Sequence, residues 1–262
     1  HTRRDLKMDI IYPEDGTRKY PCVVWICGGA WQRMDRSAHL AYLSELARCG
    51  FVVASVEYRT SNEDIFPAQL TDVKAGIRYL KAMSERYHID TERFGVMGES
   101  AGGYLAAMAA LANDPAFDVG AFTEFSSKVQ AACPWYPPTD LTAFPYPSPV
   151  EAAASMESLL LGKNVALYQE EALKISPVSY VTKDAPPFLI IHGDNDHTVP
   201  FAQGEILHDR LEEAGADVKL LVLDGADHAD MPFFQEELWQ RIISFFQEKL
   251  GSAKRVERVR EE

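Results

Sequence analysis

The chain has 262 residues, 47% of them hydrophobic and 25% charged, with a formal net charge of −13. This is ordinary globular composition at a length that one large α/β domain can reach, and the acidic balance argues against nucleic acid or an anionic membrane surface as partner. No run of eighteen apolar residues is present, so no membrane span is expected. Four scattered cysteines without a Cys-x-x-Cys pair suit a reducing compartment, and a cytoplasmic location is expected. The opening His1-Thr2-Arg3-Arg4 shows no signal-peptide pattern and no initiating methionine, which leaves a removed leader open.

Leu6 to Tyr12 alternates as a strand does and runs into the turn signal Pro13-Glu14-Asp15-Gly16. Tyr20 to Cys27 is a continuous apolar run, the mark of a strand buried on both faces, and it leads directly into Gly28-Gly29-Ala30-Trp31. Cys22 and Cys27 sit on it at odd separation, face opposite ways and cannot bridge each other. A helix is predicted over Ala38 to Cys49, a second buried strand over Phe51 to Val56, and a long helix from about Pro67 to Tyr87 with Leu70, Val73, Ile77 and Leu80 on one face. A third buried strand, Arg93 to Met97, feeds Gly98-Glu99-Ser100-Ala101-Gly102, and an alanine-rich helix follows over Ala101 to Ala112.

Val129 to Trp135 reads as another strand. From Pro134 to Pro149 six prolines stand among aromatics, and short helical pieces follow over Pro149 to Leu161 and Val165 to Lys174. This insertion, at about residues 136–183, is read as a small cap over the end of the sheet, since loops this long inside compact domains are usually functional. Pro187 to His192 is a short strand opening into Gly193-Asp194-Asn195-Asp196-His197. Phe201 to Ala214 is a helix, Val218 to Leu223 the last strand, and Pro232 to Leu250 a closing amphipathic helix, with a charged tail read as a frayed extension. Strands alternating with helices of this length imply right-handed crossovers and a mostly parallel, doubly wound sheet. Functional groups then collect at the carboxyl ends of the strands, after Cys27, Met97, His192 and Leu223.

The stretch around Ser100 has the strand, sharp turn, helix context in which Gly-x-Ser-x-Gly acts as a nucleophile elbow. A serine hydroxyl needs a base within hydrogen-bond reach, itself oriented by an acid. His228, in a Gly/Ala/Asp loop after the last strand, is the candidate base, with His197 as competitor. His192 reads as structural, and His1, His39, His88 and His208 as surface or helix positions. Asp194 and Asp196 share one loop; Asp196 is the candidate acid, because Asp194 follows the strand immediately and is better placed to hold the turn. The order Ser100, Asp196, His228 is that of α/β-hydrolases. An oxyanion needs preorganised donors, assigned to the N–H groups of Ala101 at a helix start and of Gly29 and Ala30. Trp31, Trp135 and Tyr136, with Phe144 and Tyr146, are expected to offer aromatic surface to the substrate. No metal or organic cofactor is called for.

The chain resembles the α/β-hydrolase superfamily, and within it the compact esterases related to the hormone-sensitive-lipase group, kynurenine formamidases and bacterial feruloyl or acetyl-xylan esterase-like (BD-FAE-type) proteins. The resemblance rests on Cys27-Gly28-Gly29-Ala30-Trp31, Tyr58-Arg59, Gly98-Glu99-Ser100-Ala101-Gly102-Gly103, His192-Gly193-Asp194-Asn195-Asp196 with Val199-Pro200, and Gly225-Ala226-Asp227-His228. It implies an α/β-hydrolase fold, Asp196 as the acid, and a serine carboxylesterase acting on short-chain or carbohydrate-linked acetyl or feruloyl esters. Arylformamidase, a small peptidase with the same triad and a catalytically silent scaffold are the alternatives. A homodimer is the superfamily's habit. Cys27 stands where that family usually carries the histidine that braces the oxyanion loop.

Overall fold

The computed structural model describes residues 4–13, 17–251 and 254–255. Its sheet contains β1 (Met8–Ile11), β2 (Arg18–Ile26), β3 (Val52–Val56), β4 (Ile89–Glu99), β5 (Ala131–Trp135), β6 (Phe188–Gly193) and β7 (Val218–Leu223), in the spatial order β1-β3-β2-β4-β5-β6-β7. Only β1 runs antiparallel along this path. β3, β5 and β6 are buried throughout, and β2 from Tyr20 and β4 from Arg93 to Gly98 likewise, as their apolar runs require, while the edge strand β7 has only half-buried and exposed positions. From β2 the chain moves outward to β3, which lies between β2 and the edge strand β1, then returns to β4 and proceeds the other way to β7. The carboxyl ends of β2 and β4, paired at Ile26↔Gly98, therefore flank the point where the strand order reverses.

Helices cover both faces. On one side lie α2 (Ala68–Ala82), α4 (Ala101–Leu111) and α8 (Ala202–Glu213); on the other lie α1 (Leu40–Arg48) and α9 (Glu236–Leu250). Alternation along β2 feeds two cores. Cys22, Val24 and Ile26 join the α2/α4 core, and Val23 and Trp25 join the α1/α9 core. The long helix expected over 67–87 is two pieces, because α2 stops at Met83 and α3 (Ser84–Tyr87) turns through His88 at φ 56° into a β4 that begins four residues earlier than expected. That early start pairs Ile89 with Tyr20. The closing helix starts at Glu236, after a 3-10 turn over Met231–Phe234.

The expected turn at Glu14–Gly16 lies outside the described residues. Of the tail, Lys254–Arg255 form β8, a two-residue strand antiparallel to Arg18–Lys19 where β2 extends beyond β3, rather than a frayed extension; residues 252–253 and 256–262 lie outside the described set. Residues 136–183 hold α5 (Pro149–Ala153), α6 (Met156–Leu161), α7 (Gln169–Lys174) and a 3-10 turn over Pro177–Tyr180. They sit on α4 and the start of α2: Tyr104 Oη donates to the Ile175 carbonyl at 2.6 Å, and Phe66 N donates to the Leu160 carbonyl at 2.9 Å. Leu141, Ala152, Leu160, Val165 and Ala172 belong to the same apolar core as α4. Cys22, Cys27 and Cys133 are buried and unbridged, and Cys49, at the end of α1, is exposed. Burial pushes the Cys27 and Cys133 thiols up to about 12.

Candidate active site

β4 ends at Glu99, α4 begins at Ala101, and Ser100 between them has φ 53°, ψ −121°, a strained conformation for a residue with a side chain. The glycines on either side make that turn possible. A Cβ on Gly98 would stand 2.5 Å from the carbonyl oxygens of Ile26 and Gly102, and one on Gly102 would collide with the Ile26 carbonyl. Ser100 N donates to the Trp135 carbonyl at 3.0 Å, which anchors the turn to the neighbouring strand.

His228 Nε2 lies 3.0 Å from Ser100 Oγ, and His228 Nδ1 lies 2.7 Å from Asp196 Oδ2. The three residues come from the ends of β4, β6 and β7 and form one continuous hydrogen-bonded chain. Asp196 Oδ1 accepts from the N–H groups of Thr198 and Val199, each at 2.8 Å. Burial pushes this carboxyl up, but the nearby His192 ring, with Nε2 3.5 Å from Oδ2, the hydrogen bond and charge of His228 and the Val199 N–H outweigh it and hold Asp196 well below the usual carboxylate range. Its competitor Asp194 is exposed and accepts from Gly225 N at 2.6 Å, tying the β6 loop to the β7 loop as its position after the strand suggested. His197 is exposed and paired with Asp227 at 3.3 Å. His192 is buried, with Nε2 3.0 Å from the Val199 carbonyl, where it supports the Asp196 loop.

The loop after β2 lies against the elbow. Tyr58 Oη donates to the Cys27 carbonyl at 3.0 Å, Gln32 N and Arg33 N donate to the Gly29 carbonyl, and Ser61 N donates to the Trp31 carbonyl. The loop winds through Gly29 (φ 124°), Ala30 (φ 54°) and Trp31 (φ 56°). Among the described residues, no hydrogen-bond partner occupies the N–H groups of Gly29, Ala30 or Ala101. Three unengaged donors on two facing backbone segments are what an oxyanion site requires.

The aromatic expectations need correction. Trp135 is fully buried on the α9 side, its ring against Trp25 at 5.5 Å and Trp239 at 5.6 Å, because the pleat at the end of β5 points it away from the α4 face. Trp31 is 1% exposed and packs edge-on against Tyr104. Tyr136 is also buried, but its ring lies 4.5 Å from that of His228 and its hydroxyl donates to Glu99 Oε2 at 2.8 Å. None of the three presents a free face. His39, expected at a surface or helix position, is a half-buried partner of Glu99, at 3.1 Å. The only sequence signal for it is an acid held in a buried turn, which demands a donor.

The BD-FAE family model matches residues 8–211. Esterase LipQ of Mycobacterium tuberculosis is 35% identical over 227 residues, covering 81% of this chain and 51% of its own length. The probable carboxylic ester hydrolase LipM of the same organism is 32% identical, covering 84% and 50%. The chain thus spans about half the length of the curated relatives it matches. Among solved structures, a truncated carbohydrate esterase from gut microbiota superposes with a TM-score of 0.85 at 31% identity, over 92% of this chain and 90% of that one. A bifunctional GH43-CE protein of Bacteroides eggerthii gives 0.87 at 31%, over 94% of this chain and 33% of that one. With a family match across most of its length and an α/β-hydrolase sheet, the chain belongs to the BD-FAE family.

Proposed function

We propose that the chain is a serine carboxylesterase, and the observation that carries this reading is the hydrogen-bonded series Ser100–His228–Asp196. Ser100 Oγ attacks the ester carbonyl while its proton passes to His228 Nε2; the carbonyl oxygen becomes an oxyanion facing the N–H groups of Gly29, Ala30 and Ala101. Asp196 holds Nδ1–H and stabilises the imidazolium. The tetrahedral intermediate collapses, His228 protonates the departing alcohol, and an acyl-Ser100 ester remains. Water, deprotonated by the same histidine, repeats the cycle and releases the acid.

Short acyl esters on a carbohydrate alcohol are the substrate class proposed, since a similar solved structure that superposes over 92% of the chain is described as a carbohydrate esterase. The net charge of −13 suits a neutral alcohol better than an anionic one. Burial of Trp31 and Trp135 removes the stacking faces on which a feruloyl group would lie, so acetyl is favoured over feruloyl. Residues 136–183, seated over α4, form the cap of this site in the same reading.

The test is a panel of p-nitrophenyl acetate, butyrate and octanoate, acetylated xylo-oligosaccharide, methyl ferulate and N-formylkynurenine, run on wild type and Ser100→Ala. Wild type is expected to cleave the acetyl esters, and the variant to lose at least about 10³-fold in kcat/KM. Equal rates for the two proteins, or turnover of none of the substrates, would move the reading to a scaffold.

A further inference from the structure

Glu99 precedes the nucleophile, and its side chain is 12% exposed. Its carboxylate meets three donors from three separate parts of the chain. Oε1 accepts from His39 Nε2 at 3.1 Å and, at the long distance of 3.4 Å, from Gly28 N; Oε2 accepts from Tyr136 Oη at 2.8 Å. Burial pushes the carboxyl up, but these donors outweigh it and hold Glu99 below its ordinary value, so it is an anion at neutral pH.

Each partner is itself fixed. His39, at φ 63° before α1, stacks on Phe234 with ring centroids 4.9 Å apart and planes 25° apart. Tyr136 lies between the ring of His228 and the edge of Phe233, 4.5 Å from each. Gly28 opens the oxyanion loop, and a Cβ there would stand 3.0 Å from the Glu99 carbonyl oxygen and 3.2 Å from Ser100 Cβ, so loop and elbow are already in van der Waals contact. With Tyr58 Oη on the Cys27 carbonyl and Glu99 on Gly28 N–H, the 27–28 peptide is gripped from both sides. The direction of that peptide sets where the Gly29 and Ala30 N–H groups aim.

We propose that Glu99 is a positioning residue, whose carboxylate holds the oxyanion loop through Gly28 and the base through Tyr136 in one geometry around Ser100. This rests on the esterase reading of Ser100, His228 and Asp196. The carboxylate takes no proton from the substrate; it acts through the groups it orients. Its effect belongs to the transition state, where the oxyanion exists, rather than to substrate binding. Glutamine keeps a carbonyl oxygen for His39 and Gly28, and its amide can donate to the Tyr136 hydroxyl; alanine keeps nothing.

The experiment compares wild type, Glu99→Gln, Glu99→Ala, Tyr136→Phe and Ser100→Ala. Active sites are counted with a fluorophosphonate, kcat and KM are measured on p-nitrophenyl acetate, and Ki on a trifluoromethyl ketone that forms a hemiketal oxyanion with a reactive serine. Glu99→Ala is expected to lose about 10–100-fold in kcat per titrated site with KM held within about twofold, short of the roughly 10²–10³-fold cost of deleting an oxyanion donor outright. Ki for the ketone should weaken by the same factor, and Glu99→Gln should recover most of both. Tyr136→Phe, which removes one hydroxyl and keeps the ring, should lose about three- to tenfold in the same two quantities, and it carries the test if Glu99→Ala does not fold. A Glu99→Ala, or failing that a Tyr136→Phe, whose kcat per titrated site matches wild type, or whose kcat falls while Ki stays fixed, overturns the positioning role and leaves the esterase reading intact. A wild type that takes no fluorophosphonate and turns over no faster than Ser100→Ala overturns both.

Discussion

Asp196 divides its two oxygens between tasks: Oδ2 faces His228 Nδ1, and Oδ1 receives two backbone N–H groups of its own loop. Every one of those donors favours the ionised form. The folded pKa lies below the unfolded value of about 3.9, so the stabilisation is complete above that value and is lost as pH falls through the folded one. Between pH 5 and 8 the contribution is therefore constant, and the loss falls below about pH 4. Urea unfolding of wild type and Asp196→Asn from pH 3 to pH 6 should show wild type more stable near neutrality and the gap narrowing in acid; a gap that does not change with pH would refute the ionised assignment. On the esterase reading the same variant should lose about 10³–10⁴-fold in kcat, because an amide can pair with the wrong His228 tautomer. Glycine operates at this scale too, since Gly98 and Gly102 are sites where any Cβ meets backbone that cannot move aside.

Among the elements, α2 departs furthest from its surface pattern. Lys74, Arg78 and Lys81 stand at i, i+4 and i+7, a spacing that usually marks a solvated stripe, yet all three are buried. The segment 115–128 lies over them. Arg78 donates to Asp118 Oδ1 at 2.7 Å and to the carbonyls of Val119 and Ala121, Lys74 donates to Ser127 Oγ at 2.9 Å, and Lys81 donates to the Lys128 carbonyl. Burial pushes the Lys81 ammonium down to about 8. Asp118→Ala should cost about 2 kcal/mol, less than the ~3–5 kcal/mol for a wholly buried pair because Asp118 is a third exposed. Chemical denaturation would measure that loss, and kcat should not change. Local signals of this kind divide what was legible from what was not. The elbow, the two loop carboxylates and the buried strands could be read because turns and apolar runs are written in neighbouring residues. Trp135 could not be placed, since the run Ala131–Trp135 is buried on both faces and only its pairing with β4 and β6, at Glu99↔Trp135 and Trp135↔Ile191, fixes which way the ring points. His39 stands 60 residues from the carboxylate it serves, and no periodicity connects them.

For the whole molecule, the reversal of strand order between β2 and β4 brings the loops that carry Gly28, Ser100, Asp196 and His228 together at the carboxyl ends of the strands. Residues 136–183 share their apolar contacts with α4 and are continuous with the α2/α4 core, so they have no separate core to melt on their own. Scanning calorimetry is expected to give a single cooperative transition with equal calorimetric and van't Hoff enthalpies. Two resolved transitions would mean that the segment is an independent unit. The fold class was legible from the alternation of strands and helices; the sheet order needed the pairing itself.

The four cysteines give this architecture a practical use. Three thiols are walled off, two of them with ionisation pushed up to about 12, and Cys49 alone stands in solvent, at the far end of the helix that begins beside His39. A maleimide dye at neutral pH thus meets one accessible thiol per folded chain. Nine helical residues at 1.5 Å each put it about 14 Å from the end of α1 that His39 precedes, so a label on it marks the opposite end of that helix.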